Sequence, residues 1–339
     1  PGGVCDRLVS FVDFAPTLLS LTGVKMPDHM QGVAFLGEKS GPERRYAFAI
    51  RDRMAERYDV VRVVRDRQFQ YHRNFMPHLP WSQYVSYTEQ MPTMQVWRRL
   101  HDEGRLNASQ ARYFQPKSSE ELYDIEDDPH MLRNLAEDRK HASVLERMRT
   151  ELHQWQLRTR DLGLLTEYEM HRRAEGSTQY EVGQNDRSYP LGKILAVAEV
   201  AGQRDAKHTD RLVRWLGDDE PTVRWWAATG LAALGKQAEG AESALRSSLT
   251  DSSPIVRIAA AEALCNLGQE DDMLPVLTDG LKHATPYVRL RAINVLDRLG
   301  QKAQPALPAI RAAAMERAPY PGDYLNRMVQ YVPDHHLAL

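Results

Sequence analysis

Between residues 217 and 300 one pattern occurs three times. Gly217-Asp218-Asp219-Glu220-Pro221-Thr222-Val223-Arg224 is followed by Ala227-Ala228 and Leu234-Gly235. Asp251-Ser252-Ser253-Pro254-Ile255-Val256-Arg257 is followed by Ala260-Ala261 and Leu267-Gly268, and Pro286-Tyr287-Val288-Arg289 by Ala292 and Leu299-Gly300. The prolines stand 33 and 32 residues apart, and proline and glycine are 14 positions apart in each copy. Fixed self-similarity of this period marks a helical solenoid, in which each unit packs only on its neighbours. The residue types have physical reasons. Proline opens the second helix of each pair, small alanines let helices approach closely, and glycine takes the left-handed backbone that ends the helix. Arg224, Arg257 and Arg289 are expected to reach a neighbouring Asp or a carbonyl in the stack. Residues 190–202 and 306–335 are expected as degenerate capping repeats, because an end repeat faces water on one side.

The Asp-x-x-Pro-x-Val-Arg start, the Ala-rich helix and the Leu-Gly stop resemble HEAT repeats of the short, phycobilisome-lyase-like kind. The first half of the chain carries other signatures. In residues 121–136, Leu122-Tyr123-Asp124 reads as a strand end, Asp127-Asp128-Pro129 as an acidic turn, and Asn134-Leu135-Ala136 as the approach to a helix. This order resembles the C-terminal "LYDL...DP.E..NLA" signature of type I, arylsulfatase-like sulfatases of the alkaline-phosphatase superfamily. Residues 9–24, with Val12-Asp13-Phe14-Ala15-Pro16-Thr17-Leu18-Leu19, resemble the helix that closes the α/β domain of these enzymes. There Ser10 or Asp13 can cap the helix, Phe14, Leu18 and Leu21 or Leu19 fall at helical spacing, and Gly23 can take the C′ position. Met26-Pro27-Asp28-His29-Met30-Gln31-Gly32 resembles the loop that follows that helix.

The resemblance implies hydrolysis of sulfate esters with a formylglycine made from Cys or Ser in Cys/Ser-x-Pro-x-Arg, and with Ca²⁺. Neither cysteine fits that motif. Cys5 is followed by Asp6-Arg7-Leu8-Val9 and Cys265 by Asn266-Leu267-Gly268-Gln269. By resemblance, the metal carboxylates and the Lys and His residues that hold sulfate would precede Pro1. The chain is therefore expected to be the C-terminal fragment of a sulfatase, without turnover by itself. The alternative is a non-catalytic HEAT-repeat binding or scaffold protein with a relic sulfatase-like segment. Phosphatases and phosphonate hydrolases share the superfamily, and the residues that separate them from sulfatases are not expected in this part.

At 339 residues, 42% hydrophobic and 27% charged, the chain has room for two or three ordinary globular domains. A net charge of −2 gives no bulk basic field for nucleic acid or an anionic membrane. Two distant cysteines give no disulfide framework, and no apolar run reaches the roughly 18 residues of a membrane span. The expected fold is an α+β sulfatase C-terminal subdomain, a small antiparallel sheet with packed helices, followed by an all-α HEAT-like solenoid. The expected partition is 1–24 as the end of the α/β domain, 25–160 as the C-terminal subdomain, 161–189 as a glycine-bearing linker, and 190–339 as the solenoid.

Residues 46–50, 60–64 and 69–73 read as strands, Arg65-Asp66-Arg67-Gln68 as a hairpin turn, and residues 94–115 as a polar helical insertion. Val144, Leu145, Met148, Leu152 and Trp155 recur at helical steps and are expected to lie on the sheet. Candidate substrate-binding residues are Arg51 and Arg53 at a strand end, whose guanidinium groups suit an oxyanion, and His72, Arg73, His78 and Trp81 around a basic and aromatic loop. The competing reading of the arginines is structural ion pairing. Asp28-His29 and Asp334-His335-His336 hold ligand residue types without a second cluster, so no metal site is expected. Of Trp225-Trp226, one indole is expected in the solenoid core while the other faces a partner or the sulfatase part. The implied partners are a sulfated small molecule or glycan and a possible protein on the solenoid. The resemblance favours the periplasm or the cell exterior.

Overall fold

The computed structural model of the protein describes residues 2–3, 6–316 and 323–336. In chain order the elements are α1 (Phe14–Leu21), β1 (Ala47–Arg51), β2 (Val61–Arg65), β3 (Phe69–Asn74), α2 (Pro92–Asp102), α3 (Ala108–Ala111), β4 (Glu120–Asp124) and α4 (Ala142–Thr159). Helices α5 (Glu167–Arg173), α6 (Gln179–Gln184), α7 (Leu191–Ala201), α8 (Thr209–Trp215), α9 (Pro221–Leu234) and α10 (Glu242–Ser248) follow. Then come α11 (Pro254–Asn266), α12 (Glu270–Gly280), α13 (Pro286–Leu299), α14 (Leu307–Met315) and α15 (Asp323–His336). Two compact units result. One is Pro1–Ile50, Val61–Arg73 and Glu120–Gln156; the other is Arg51–Val60, Asn74–Ser119 and Leu157–Leu339.

The first unit is built on the sheet, in the order β1-β2-β3-β4. Strands β3 and β4 run antiparallel, in register from Phe69 opposite Asp124 to Arg73 opposite Glu120. The turn between β2 and β3 closes on Asp66, whose Oδ1 accepts from the N–H groups of Gln68 at 2.9 Å and Phe69 at 2.6 Å. Val64, Tyr71, Leu122, Leu145, Met148 and Leu152 form one buried cluster, and Phe48 stacks on Trp155 with ring centroids 4.7 Å apart. The helical stripe expected from sequence is thus the face that α4 buries.

The 121–136 signature is a hydrogen-bonding device. Asp124 Oδ1 accepts from the N–H groups of Glu126 and Asp127, bending the chain out of β4. Asn134 brings it back: its Oδ1 accepts from Leu122 N–H at 2.9 Å and Ala136 N–H at 3.0 Å, while its Nδ2 donates to Glu120 O at 3.0 Å. Leu135 N–H then donates to Leu122 O, and Leu135 is buried in the cluster. Gly32 is required by proximity, since a Cβ there would stand 1.8 Å from Val12 O.

In segment 9–24, of the two expected caps it is Ser10 that stands at the start of the helical stretch, which begins with a 3₁₀ turn at Phe11–Asp13. Asp13 does not cap α1 with its side chain; its carboxylate accepts from Ser10 N–H and Val33 N–H and pairs with Arg44, tying together three separate stretches. The apolar stripe of α1 is also outward. Phe14, Leu18 and Leu21 are exposed, Leu18 by 63%, while Pro16, Thr17 and Ser20 are the buried residues of the helix.

The second unit is all-helical apart from isolated bridges. Helix α9 packs on α7 and α11, α11 on α12 and α13, and α13 on α15. Pro221, Pro254 and Pro286 sit in the first turns of α9, α11 and α13, and Gly235, Gly268 and Gly300 have φ of 57°, 96° and 56°. These backbone conformations are open to glycine and strained for other residues. Arg224 grips Asp251 with Nε at 2.7 Å and Nη2 at 2.8 Å, Arg257 donates to Asp251 O, and Arg289 donates to Ala313 O.

The stretch 161–189, read from sequence as a linker, carries a 3₁₀ turn at Leu162–Leu164 and helices α5 and α6, with Leu164, Leu165 and Val182 in the repeat core. Gly163 lies in the 3₁₀ turn and Gly183 within α6, so glycine there does not signal loose chain. Residues 51–60 and 74–119 pack with the repeats although they precede α4 in sequence. Arg57 donates to Asn294 Oδ1 at 2.9 Å and Asp297 Oδ2 at 2.7 Å, and Asn294 Nδ2 donates to Glu56 O.

Candidate functional site

Arg51 and Trp81 come together. The Arg51 guanidinium lies 5.4 Å from the Trp81 ring centroid, and Lys117 Nζ lies 5.1 Å from it. Asp59 holds both cations, with Oδ2 2.9 Å from Lys117 Nζ and 3.7 Å from Arg51 Nε. The Lys117–Asp59 pair is fully buried, and Lys117 also donates to Leu79 O at 2.7 Å. Two cations thus share one carboxylate beside an indole, and the Arg51 side chain retains 29% exposure.

The other candidates are drawn into the architecture. Arg53 donates from Nε and Nη2 to the two oxygens of Glu167 and from Nη1 to Ala55 O, with its guanidinium 4.8 Å from the Tyr324 ring. This is the ion-pair reading in its bidentate form. Tyr58 OH donates to the same carboxylate at 3.1 Å. Burial, and then the charge of Glu167, push the Tyr58 hydroxyl well above its usual range, so it stays protonated.

His72 and Arg73 lie on β3. The His72 ring meets Tyr123 edge-on, and burial pushes its pKa down to about 4. Arg73 is buried with Nη1 3.8 Å from Glu120 Oε1. His78, in the second unit, is buried, and burial pushes it down to about 3. At neutral pH both imidazoles are uncharged and offer no cation to an oxyanion. Trp225 and Trp226 are both buried. The Trp226 indole donates to Leu164 O at 2.9 Å, whereas Trp225 Nε1 has no partner. Trp226 also meets Phe75, ring centroids 6.0 Å apart, and Trp225 lines a cavity with Tyr58 and Met76, so of the two expected faces it is the sulfatase-like part, residues 25–160, that the indoles meet.

Among the described residues, no three His, Cys, Asp or Glu side chains converge as a metal site. Cys265 is buried and burial pushes its thiol up to about 12, which does not suit a reacting sulfur. Cys5 lies outside the described residues, as do the side chains of His335 and His336. No helix among the described residues is long and apolar enough to cross a membrane. The described residues do not include a ligand set that fits Ca²⁺.

A family model described as HEAT repeats matches residues 185–265 and 242–320. The chain is 45% identical over 150 residues to an ulvan-active sulfatase of Formosa agariphila, covering 44% of this chain and 25% of that protein. It is 26% identical over 161 residues to a second ulvan-active sulfatase of that organism, covering 46% and 30%. Human N-sulphoglucosamine sulphohydrolase is 28% identical over 178 residues, covering 47% and 34%. The chain spans between a quarter and about a third of the length of these relatives. It joins a sulfatase-related segment with a small antiparallel sheet to an α-solenoid of HEAT repeats.

Sequence reasoning missed Lys117, Asp59, Glu167 and Arg291. Lys117 reaches Asp59 across 58 positions and Arg53 reaches Glu167 across 114, while Arg291 finds Glu262 29 positions away. The one local signal was the isolated pair Trp225-Trp226 in an alanine-rich helix.

Proposed function

We propose that this chain is the C-terminal part of an enzyme that hydrolyses sulfate esters, with the nucleophile and metal supplied by residues outside this sequence. The observation that carries the proposal is the 45% identity to an ulvan-active sulfatase. A sulfated polysaccharide is the substrate class this supports, with the periplasm or cell exterior as the compartment. The outward apolar stripe of α1, which includes Phe14, Leu18 and Leu21, supports a larger domain that covers it. Of the six candidate residues we assign substrate contact to Arg51 and Trp81, since that cluster has two cations to one carboxylate and an aromatic face. Arg53, His72, Arg73 and His78 act in holding the structure. The repeats brace the 51–60 and 74–119 segments, a role supported by the buried Arg57–Asn294–Asp297 contacts.

The test is an assay of sulfate release from sulfated polysaccharide and aryl sulfates, using the in-frame longer protein and the 339-residue chain side by side. Turnover is expected from the longer protein alone. Arg51→Ala in it should lower kcat/KM by about tenfold, the loss of one charge-assisted hydrogen bond. Turnover by the 339-residue chain, or a longer protein that cleaves phosphate but not sulfate esters, overturns the reading.

A further inference from the structure

The second unit contains a cavity of about 240 Å³, just below the roughly 300–1,000 Å³ of drug-sized sites. Tyr58, Leu165, Met170, Trp225, Ile255 and Arg291 supply its wall, with Met76 and Val60 adding apolar surface. It therefore lies among the 51–60 loop, the 161–179 stretch and helices α9, α11 and α13, all inside one compact unit.

Two of these residues carry unmet donors. Arg291 is 2% exposed and its Nη2 donates to Glu262 Oε2 at 3.0 Å, yet its Nε and Nη1 have no hydrogen-bond partner. Trp225 is 5% exposed and its Nε1 is likewise without a partner. Leaving such groups buried and unpaired is unfavourable, the more so for a charged one.

The carboxylates at and beside the cavity already have donors of their own. Glu262 is shared by Arg291 and Arg298, so two guanidinium groups face one carboxylate. The acids that line the cavity are engaged: Glu167 by Arg53 and Tyr58, Asp59 by Lys117 and Arg51, and Asp52 has a partner of its own. Burial pushes Arg291 below its usual range, against the pull of Glu262. Apolar and ring surface from Leu165, Met170, Ile255 and Tyr58 can receive an uncharged body of small size.

From these features we infer that the cavity is a binding site for a small monoanion, a carboxylate or sulfate carried on an apolar ring. The oxyanion accepts from Arg291 and from the Trp225 indole, and the ring packs against Leu165, Met170 and Ile255. The site needs neither the sulfatase relationship nor any residue outside this chain.

Titration calorimetry on the 339-residue chain tests it, with benzoate, phenyl sulfate, inorganic sulfate and benzyl alcohol as probes. Saturable one-site binding is expected for benzoate or phenyl sulfate, and the stronger of the two identifies the carboxylate or the sulfate source. Inorganic sulfate and benzyl alcohol should bind at least tenfold more weakly. Met170→Trp, which fills the cavity, should abolish binding, and Trp225→Phe, which removes one donor, should weaken it about three- to tenfold. Circular dichroism and Tm establish that both variants are folded. Absence of binding by either ring anion to the folded chain overturns the proposal. So does binding that survives unchanged in both variants, or a neutral or inorganic probe that binds equally well.

Discussion

The sheet unit and the repeat unit of this chain are stabilised by different kinds of contact. In the sheet unit a modest apolar cluster is enclosed by polar side chains bonded to backbone: Asp66 closes the hairpin, Asp124 bends the chain and Asn134 returns it to β4. In the repeats the helices α9 and α11 are buried nearly all round, and small alanines set the spacing, with the Arg224–Asp251 pair linking one repeat to the next. Hydrogen bonds that fix a specific loop demand specific residues, which is why the sheet unit is recognisable from a short string. Apolar packing constrains size and periodicity instead, so the repeats are recognised by their spacing.

The largest test of this contrast is Trp226→Ala. It removes a fully buried indole and its bond to Leu164 O, and should cost the repeat unit about 3–5 kcal/mol. In denaturant unfolding followed by hydrogen exchange, the α9 and α11 amides should lose protection while those of β3 and β4 keep theirs. A uniform loss in both units would show that they unfold as one.

Next in size is Asn134→Ala, which leaves Leu122 N–H and Glu120 O without their partners and should cost about 2–3 kcal/mol. Faster exchange at the Leu122 amide is the local signature. If Asn134→Ala proves neutral, the sheet unit depends on apolar packing as the repeats do.

The smallest effect is expected for Leu18→Ser on α1. With Leu18 already 63% exposed, the unfolding free energy of the 339-residue chain should change by no more than about 0.5 kcal/mol. In the longer protein the same substitution should cost roughly 1.5–3 kcal/mol if a domain covers the stripe. Equal small effects in both would remove the support that α1 gives to a covering domain.

Much of the fold was legible beforehand. The α4 stripe, the Asp66 turn, the helix-opening prolines and the glycine stops all depend on residues a few positions apart, where helix and turn geometry is enough. The candidate site was less legible. Arg53 and Arg73 look alike in sequence to Arg51, and only the structure shows Arg53 bidentate to Glu167 and Arg73 buried beside Glu120, while Arg51, paired with Asp59, stays 29% exposed beside an indole. His72 and His78 fit a polar loop as residue types, but burial removes their charge at neutral pH. The 161–189 stretch misled because glycine content was read as looseness, whereas Leu164, Leu165 and Val182 belong to the repeat core.

By itself the sequence determined the local elements, the repeat period and the relationship to sulfatases, because each rests on short-range geometry or on strings of adjacent residues. Tertiary structure decided which segments share a core, which arginines are neutralised, and that Arg291 and Trp225 meet at one cavity with donors unmet. The physical reason is that charge compensation and burial depend on distance in space. The residues that settle them here, such as Arg57 and Asp297, are 240 positions apart along the chain.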